Sequence, residues 1–141
     1  MNFGELMWLE LQRGSNCDMK VYCNDGIVEC HSSVVFNRLL AIKGHSVKVV
    51  QCVKLGKQRV RSIELQRHLY IFEGVATFKK VVEFIYRDII SVDPVDLGRF
   101  YATCVTFGLD LDGVSNKAGN NGTMILYRTK LGKINGQFEL C

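Results

Sequence analysis

Hydrophobic positions along the 141-residue chain follow two different periods. Met19, Val21 and Cys23 alternate with Asp18, Lys20 and Tyr22, and Val28 and Cys30 alternate with Glu29 and His31, which predicts two half-buried strands. Between them Asp25-Gly26 is a tight-hairpin signal, because a type I′ turn needs positive φ at both central residues. With those two residues as the loop, Cys23 faces Val28, Val21 faces Cys30 and Lys20 faces His31. Met19, Val21, Cys23, Val28 and Cys30 then share one face, and Asp18, Lys20, Tyr22, Glu29 and His31 share the other.

The helical period is clearest in 77–87, where Phe78, Val81, Val82, Ile85 and Tyr86 recur at one face, and in 94–108, where Leu97, Phe100, Tyr101, Cys104 and Val105 do the same. The second of these opens on Asp93-Pro94-Val95-Asp96, an acid to cap the first turn and a proline where an N–H is dispensable, and Gly108 closes it. A further helix with Val35, Phe36, Leu39 and Leu40 as its stripe starts at a Ser32 or Ser33 cap and runs to about Lys43 and Gly44. Residues 3–13 (FGELMWLELQR) also suit a helix, but Phe3, Leu6, Met7, Trp8, Leu9 and Leu11 surround most of it. Such a helix needs burial on more than one side.

Short strands are expected at 47–55 (VKVVQCVKL), from His68 to Phe72, and over Ile89, Ile90 and Val92, with an exposed loop from Leu55 to Arg61. After Asp112 the chain turns to Gly and Asn (GVSNKAGNNG) and then to TMILYRTK and GQFEL, read as a loop followed by weak strand or hairpin material. The expected organisation is one α/β (α+β) interaction domain over 1–111 and an extension over 112–141. This length allows burial of roughly two-thirds of the unfolded surface, enough for a core without disulfide staples.

Composition narrows the function classes. Apolar residues at 48% and charged residues at 23% describe a globular chain. No apolar run approaches the ~18 residues of a membrane span, and Glu5 and Glu10 interrupt the segment where a signal peptide would be uncharged. The six cysteines stand singly with no C-x-x-C, the usage of a reducing compartment, so an intracellular location is expected. Their spacing also fits no zinc site, and neither a metal nor a cofactor is expected. Asn121-Gly122-Thr123 matches a glycosylation sequon by chance in such a chain.

Chemistry-bearing constellations are equally sparse. Neighbouring Cys30 and His31 point to opposite faces of a strand, and Leu131-Gly132-Lys133-Ile134 lacks the first glycine and the Ser/Thr of a phosphate loop, so no enzyme is expected. The stretch 43–67 holds seven Lys or Arg (Lys43, Lys48, Lys54, Lys57, Arg59, Arg61, Arg67) against Glu64 alone. It contains no aromatic residue to stack bases, so direct nucleic-acid binding is disfavoured and a solvated charged loop is the simpler reading.

The order of these elements resembles the BTB/POZ domain family over about residues 3–110. The residues that carry the likeness are Cys17, Asp18, Met19, Val21, His31, Val34 and Val35, the run Phe78-Lys79-Lys80-Val81-Val82-Glu83-Phe84-Ile85-Tyr86, and Tyr101-Ala102-Thr103-Cys104-Val105-Thr106-Phe107-Gly108-Leu109. The resemblance implies a cluster of helices capped by a short β-sheet, and homodimerisation through the N-terminal helix, often with an exchanged strand. It places Phe3, Leu6, Met7, Trp8, Leu9, Asp18, Lys20 and Ser32 at a dimer interface. Asp18 and the residue after His31 would there form a charged pocket.

The sequence departs from that pattern in three places. Many relatives carry Arg or Lys after the His, whereas this chain has Ser32, so either Lys20 replaces the cation or Asp18 is solvated. His31 is expected to be a structural, hydrogen-bonded residue and not a ligand or base. An apolar-x-Glu motif before the next strand marks cullin-binding relatives; here Glu64 follows Ser62-Ile63 in a long basic stretch, which weakens that reading. The Gly/Asn-rich tail is the third departure. The expected function is homodimerisation and partner recruitment within a nuclear transcription regulator, with a cullin-ligase substrate adaptor as the alternative. The residues do not identify the partner protein.

Overall fold

The computed structural model describes residues 2–42, 47–55, 59–129, 134–135 and 137–138, and the side-chain surroundings of 2–42 and 67–129. The fold is α+β. Its elements in chain order are α1 (Phe3–Arg13), β1 (Met19–Cys23), β2 (Gly26–Cys30), α2 (Ser32–Arg38), β3 (Val47–Leu55), β4 (Arg59–Tyr70), α3 (Val75–Arg87), β5 (Ile89–Val92), α4 (Leu97–Thr106), β6 (Val114–Ala118), β7 (Met124–Arg128) and the short pair β8 (Ile134–Asn135) and β9 (Gln137–Phe138). A four-stranded sheet has the order β2-β1-β4-β3, and a three-stranded one the order β5-β7-β6.

α3 is the central helix. Phe78, Val81, Val82, Phe84, Ile85 and Tyr86 are all buried, the stripe expected from the sequence with Phe84 added, because Phe84 meets Phe100 of α4 edge-on at 6.0 Å. The inner face of the larger sheet supplies Met19, Val21, Val28, Cys30 and Leu69 to the same core, and Ile90, Val92 and Leu126 close it from the smaller sheet. Strand β6 falls where the composition predicts a loop. It pairs with β7, and β7 pairs with β5, so the Gly/Asn-rich stretch after Asp112 is an edge of the sheet and the following TMILYRTK segment joins the core through Leu126.

The hairpin differs from expectation in register. Cys23 pairs with Gly26 and Val21 with Val28, so the loop is Asn24-Asp25. Neither loop residue has positive φ. The shift is even, so the predicted division of β1 and β2 into two faces survives. Its cause lies in α3: Asp25 Oδ1 accepts from the Val75 N–H at 2.8 Å, and the Asn24 N–H donates to Glu73 O at 2.9 Å. Asp25 thus caps a helix fifty residues away. A Cβ on Gly26 would meet Val75 Cγ2 at 3.0 Å, so glycine serves close approach here and not a left-handed turn.

α2 ends at Arg38, well before the expected Lys43, because the following backbone docks on the end of α4. The Leu40 N–H donates to Gly108 O and the Ala41 N–H to Phe107 O. This leaves Leu40 exposed instead of in the core. Gly44 lies outside the described residues. β3 covers the predicted 47–55, but β4 begins at Arg59, so residues 59–61 are strand where a loop was expected. The 94–108 helix opens as expected, with the Asp93 side chain accepting from the Val95 N–H, and continues as a 3-10 turn into α4. Val105 is exposed, not in the stripe, and Thr103 is buried in its place.

Thr103 is inside because Glu73 is. Glu73 is 8% exposed and accepts from Thr103 Oγ1 at 2.7 Å, from Arg99 Nε at 3.0 Å and from the Gly74 N–H at 3.2 Å. Burial acts to raise its carboxyl pKa, but the bonds from Thr103, Arg99 and Gly74 outweigh it and hold the carboxyl below its ordinary range. A depressed folded-state value means stability that is complete above the unfolded carboxyl pKa and lost as pH falls through the folded one. Glu73→Ala should cost about 2 kcal/mol in urea unfolding at neutral pH, because the buried Thr103 hydroxyl and the half-buried Gly74 N–H lose their acceptor. The gap between variant and wild type should narrow on acidification through that window. Equal stability at neutral pH would remove Glu73 from its structural role.

Candidate interaction surface around the first helix

α1 forms where the sequence predicts it. Asn2 accepts from the Glu5 N–H at its start, and Gly14 at φ 69° ends it, its N–H reaching back to Glu10 O and Leu11 O. At about 100° per residue, Met7, Trp8 and Leu11 fall on one arc and Phe3, Leu6 and Leu9 on the roughly opposite one. The first arc packs on the chain's own core. Trp8 meets Tyr86 edge-on at 6.1 Å and lies under the Arg87 guanidinium at 5.5 Å. Gly4 lets the two helices approach, since a Cβ there would stand 2.6 Å from Tyr86 O. The second arc is open: Phe3 is 65% exposed, Leu6 51% and Leu9 38%. Of the residues expected at a dimer interface, Met7 and Trp8 therefore face inward, while Phe3, Leu6 and Leu9 face solvent.

Behind α1, His31 ties three segments together. It is 3% exposed, so it leaves the solvent face that strand alternation assigns it, because β2 ends at Cys30 and the chain turns into α2. Nε2 lies 2.7 Å from Ser15 O, a pure acceptor, so Nε2 carries the proton. Nδ1 is then the acceptor for the Tyr86 hydroxyl at 2.8 Å, and the same Tyr86 oxygen accepts from the His31 N–H at 2.8 Å. Burial pushes the Tyr86 hydroxyl pKa up, which keeps it a donor. Tyr86 is the residue that sequence reasoning used only as part of a motif. The available signal was its phenol at the end of an apolar stripe, where a buried O–H needs a partner.

Asp18 is exposed, as the second of the two expected alternatives has it, and it also bonds to Ser32. Its Oδ1 accepts from the Ser32 N–H at 2.8 Å and its Oδ2 from Ser32 Oγ at 2.6 Å. Among the described residues no ion pair joins it to Lys20, which lies across from Glu29 on the outer sheet face. Ser32 thus replaces the cation with a hydroxyl donor, and Asp18 serves as the acidic cap of α2 that the helix lacks locally.

Cys17 approaches His31, with Sγ 3.9 Å from Nε2, without forming a nucleophile and base. Burial, then the charges of Glu29, Asp18 and Glu10, push its thiol pKa up, and the nearby Nε2 proton is committed to Ser15 O. Burial likewise raises Cys23 to about 11 and Cys104 to about 12. Among the described residues no cluster of His, Cys, Asp and Glu is arranged to hold a metal ion, and no helix is long and apolar enough to cross a membrane. No family model matches the chain, and no curated protein matches its sequence.

Tyr86→Phe should destabilise the fold by about 2 kcal/mol, since the His31 N–H and Nδ1 lose their partner inside the core. In a double-mutant cycle with His31→Ala, measured by chemical unfolding, the two losses should be clearly non-additive. Additive losses would separate the two residues. Asp18→Asn, which keeps one acceptor but removes the charge from the start of α2, should cost about 1 kcal/mol.

Proposed function

We propose that this chain is a BTB/POZ-type protein-interaction domain that self-associates through the outward arc of α1 and recruits other proteins in that state. The single observation that carries this reading is the pairing on one helix of an inward arc (Met7, Trp8, Leu11) satisfied by its own core and an outward arc (Phe3, Leu6, Leu9) that is not. Scattered surface leucines need no explanation, whereas three large apolar side chains aligned on one helix face favour a protein partner. A second copy presents the same stripe, so a two-fold contact is self-complementary. Asp18 borders the start of β1 beside this helix, consistent with a place at the rim.

The role we assign is non-enzymatic recruitment within a nuclear transcription regulator. A cullin-adaptor role has less support, because Glu64 sits inside β4, paired with Val50, and not in a linker after α2.

The full chain should show a two-chain mass by light scattering at high micromolar concentration. Replacing Phe3, Leu6 and Leu9 together by Ser should return it to one chain while leaving its circular dichroism close to wild type, with a moderate fall in unfolding midpoint from the part of each side chain that is buried within one chain. Trp8→Ala should instead lower the stability of the single chain by about 3 kcal/mol. A wild-type protein that stays monomeric at that concentration would overturn the self-association reading.

A further inference from the structure

The β2 edge of the four-stranded sheet is a second surface, separate from the outward arc of α1. β2 is the last strand on that side, and the direction of its main-chain groups follows from its neighbours. The Arg67 N–H donates to Asp18 O at 2.8 Å and the Ile71 N–H to Tyr22 O at 3.0 Å, so Asp18, Lys20 and Tyr22 aim their main chain at β4. Met19, Val21 and Cys23 then aim theirs at β2, where they face Cys30, Val28 and Gly26. Ile27 and Glu29 are left with N–H and C=O groups directed away from β1, and no strand pairs with them there among the described residues. Native edges are commonly guarded by proline, lysine or a bulge, and β2 has none of these.

A groove lies beside this edge. It has a volume of about 500 Å³ between β2, α3 and the flank of α1, with Trp8, Leu11, Val28 and Val82 as its apolar lining. Val28 belongs to the core-facing side of β2, so a residue opposite it on an added strand would turn its side chain into the groove. Residues opposite Ile27 and Glu29 would turn to the outer face. Glu29 is exposed and makes no ion pair among the described residues, although Lys20 lies across from it on β1. Lys79 lines the groove itself, and Glu83 beside it is held by Arg87 at 3.0 Å, so the inward position suits an uncharged side chain.

We propose that β2 takes up an extended segment of a partner protein as an added antiparallel strand, with a basic residue opposite Glu29, a large apolar one opposite Val28 and a second apolar one opposite Ile27. Along the segment from its N-terminus that order is basic, large apolar, apolar. In an antiparallel pair Ile27 and Glu29 each exchange both main-chain bonds with the residue opposite, so the backbone supplies affinity while the groove and Glu29 select the sequence. An open edge or a groove alone has an ordinary explanation. Here one strand borders both, and an extended chain is the ligand that uses the two together. Charge separates the candidates: an acidic segment would set like charges opposite at Glu29, and β2 of a second copy brings Asp25 and Glu29 without a cation. The site rests on the recruitment half of the function proposed above and not on self-association.

The test is titration of the full chain with a labelled peptide that carries Arg-Leu-Val between threonines. It is followed by anisotropy and by the emission of Trp8, the chain's single tryptophan, which lines the groove. The protein is kept below the concentration of the light-scattering measurement, so that self-association does not enter. Binding should be saturable and should shift Trp8 emission to shorter wavelength. The permuted Leu-Arg-Val peptide, which turns its cation into the groove, should bind about tenfold more weakly. Ile27→Pro removes an outward N–H where an edge strand tolerates proline, so affinity should fall about tenfold with circular dichroism unchanged. Glu29→Lys should weaken Arg-Leu-Val binding about threefold and favour a Glu-Leu-Val peptide instead. No binding at millimolar peptide, equal affinity for the permuted peptide, or equal affinity of Ile27→Pro and wild type would each overturn the proposal and leave the light-scattering result untouched. A two-chain mass that falls to one chain with Ile27→Pro would overturn it as well, because a second copy would then hold the edge.

Discussion

The oxygen of Tyr86 is the point on which the arrangement of the N-terminal half depends. It donates to His31 Nδ1 and accepts from the His31 N–H, while the far side of that imidazole donates to Ser15 O. One phenol and one imidazole therefore join the last turn of α3, the junction of β2 with α2, and the link between α1 and β1. His31 and Tyr86 are buried and Ser15 is half-buried, so the bonds between His31 and Tyr86 are worth more than exposed ones and the loss of one strands its partner. The directionality matters as much as the energy. Ser15 O can only accept, which fixes the tautomer, which in turn fixes the tyrosine as donor. Apolar packing alone would leave α1 free to rotate; this chain of bonds and the close contact at Gly4 set its orientation, and so decide which of its side chains face out.

A second set of polar contacts works between helix starts and distant residues. α2 receives its acidic cap from Asp18 and α3 from Asp25, both on the hairpin. Because both acids flank β1, the hairpin holds the starts of two helices at once. Glu73 adds a third connection, its carboxylate to Arg99 and Thr103 of α4 and its carbonyl to Asn24 in the hairpin loop. Arg38 extends the pattern at the other end of α3, reaching Ile85 O at 2.6 Å and the Asp88 carboxylate at 2.6 Å, where Arg128 of β7 also arrives. The helices and both sheets are thus oriented by polar groups, some buried and some exposed, laid over one apolar core.

These connections explain what could be read from the chain and what could not. Periodicity located α3, α4, β1 and β2 because each buries one face, and that face shows in the recurrence or alternation of its apolar residues. Local caps were legible for the same reason: Asp93 stands next to the turn that it caps. Asp18 and Asp25 cap helices far along the chain, so the first looked like half of an ion pair and the second like a hairpin turn. The register error at Asn24-Asp25 has that origin, since the backbone there answers to α3 and Glu73 and not to intrinsic turn preference. α2 stopped early because Leu40 and Ala41 bond to the end of α4, a contact no local pattern records. β6 was missed because its residues, Val-Ser-Asn-Lys-Ala, form an exposed edge that buries little. At the candidate surface, the identity of the apolar residues on α1 was legible, but their division into inward and outward arcs depended on where α3 placed Tyr86.

The energetics of the outward arc set what kind of dimer it can support. Complete burial of a large aliphatic side chain contributes about 1.5–3 kcal/mol. Phe3, Leu6 and Leu9 are 65%, 51% and 38% exposed, so part of that gain is already realised within one chain. About 1 kcal/mol per side chain then remains, or roughly 6 kcal/mol for a two-fold contact that covers all of them. Association has to overcome about 4–15 kcal/mol of lost freedom. Against that cost the stripe alone leaves at best about 2 kcal/mol, short of the roughly 5–6 kcal/mol that a dimer at high micromolar concentration needs, so association there requires a further source of contact. The open sheet edges are suited to provide it. β2 and β6 each present an outer edge with no neighbour among the described residues, and an edge strand offers unpaired N–H and C=O groups to another chain. Strand pairing between copies would add hydrogen bonds without altering the core, because that core is already complete within one chain. Association through α1 is in this sense separable from folding: the residues that would bind are not the residues that hold the domain together.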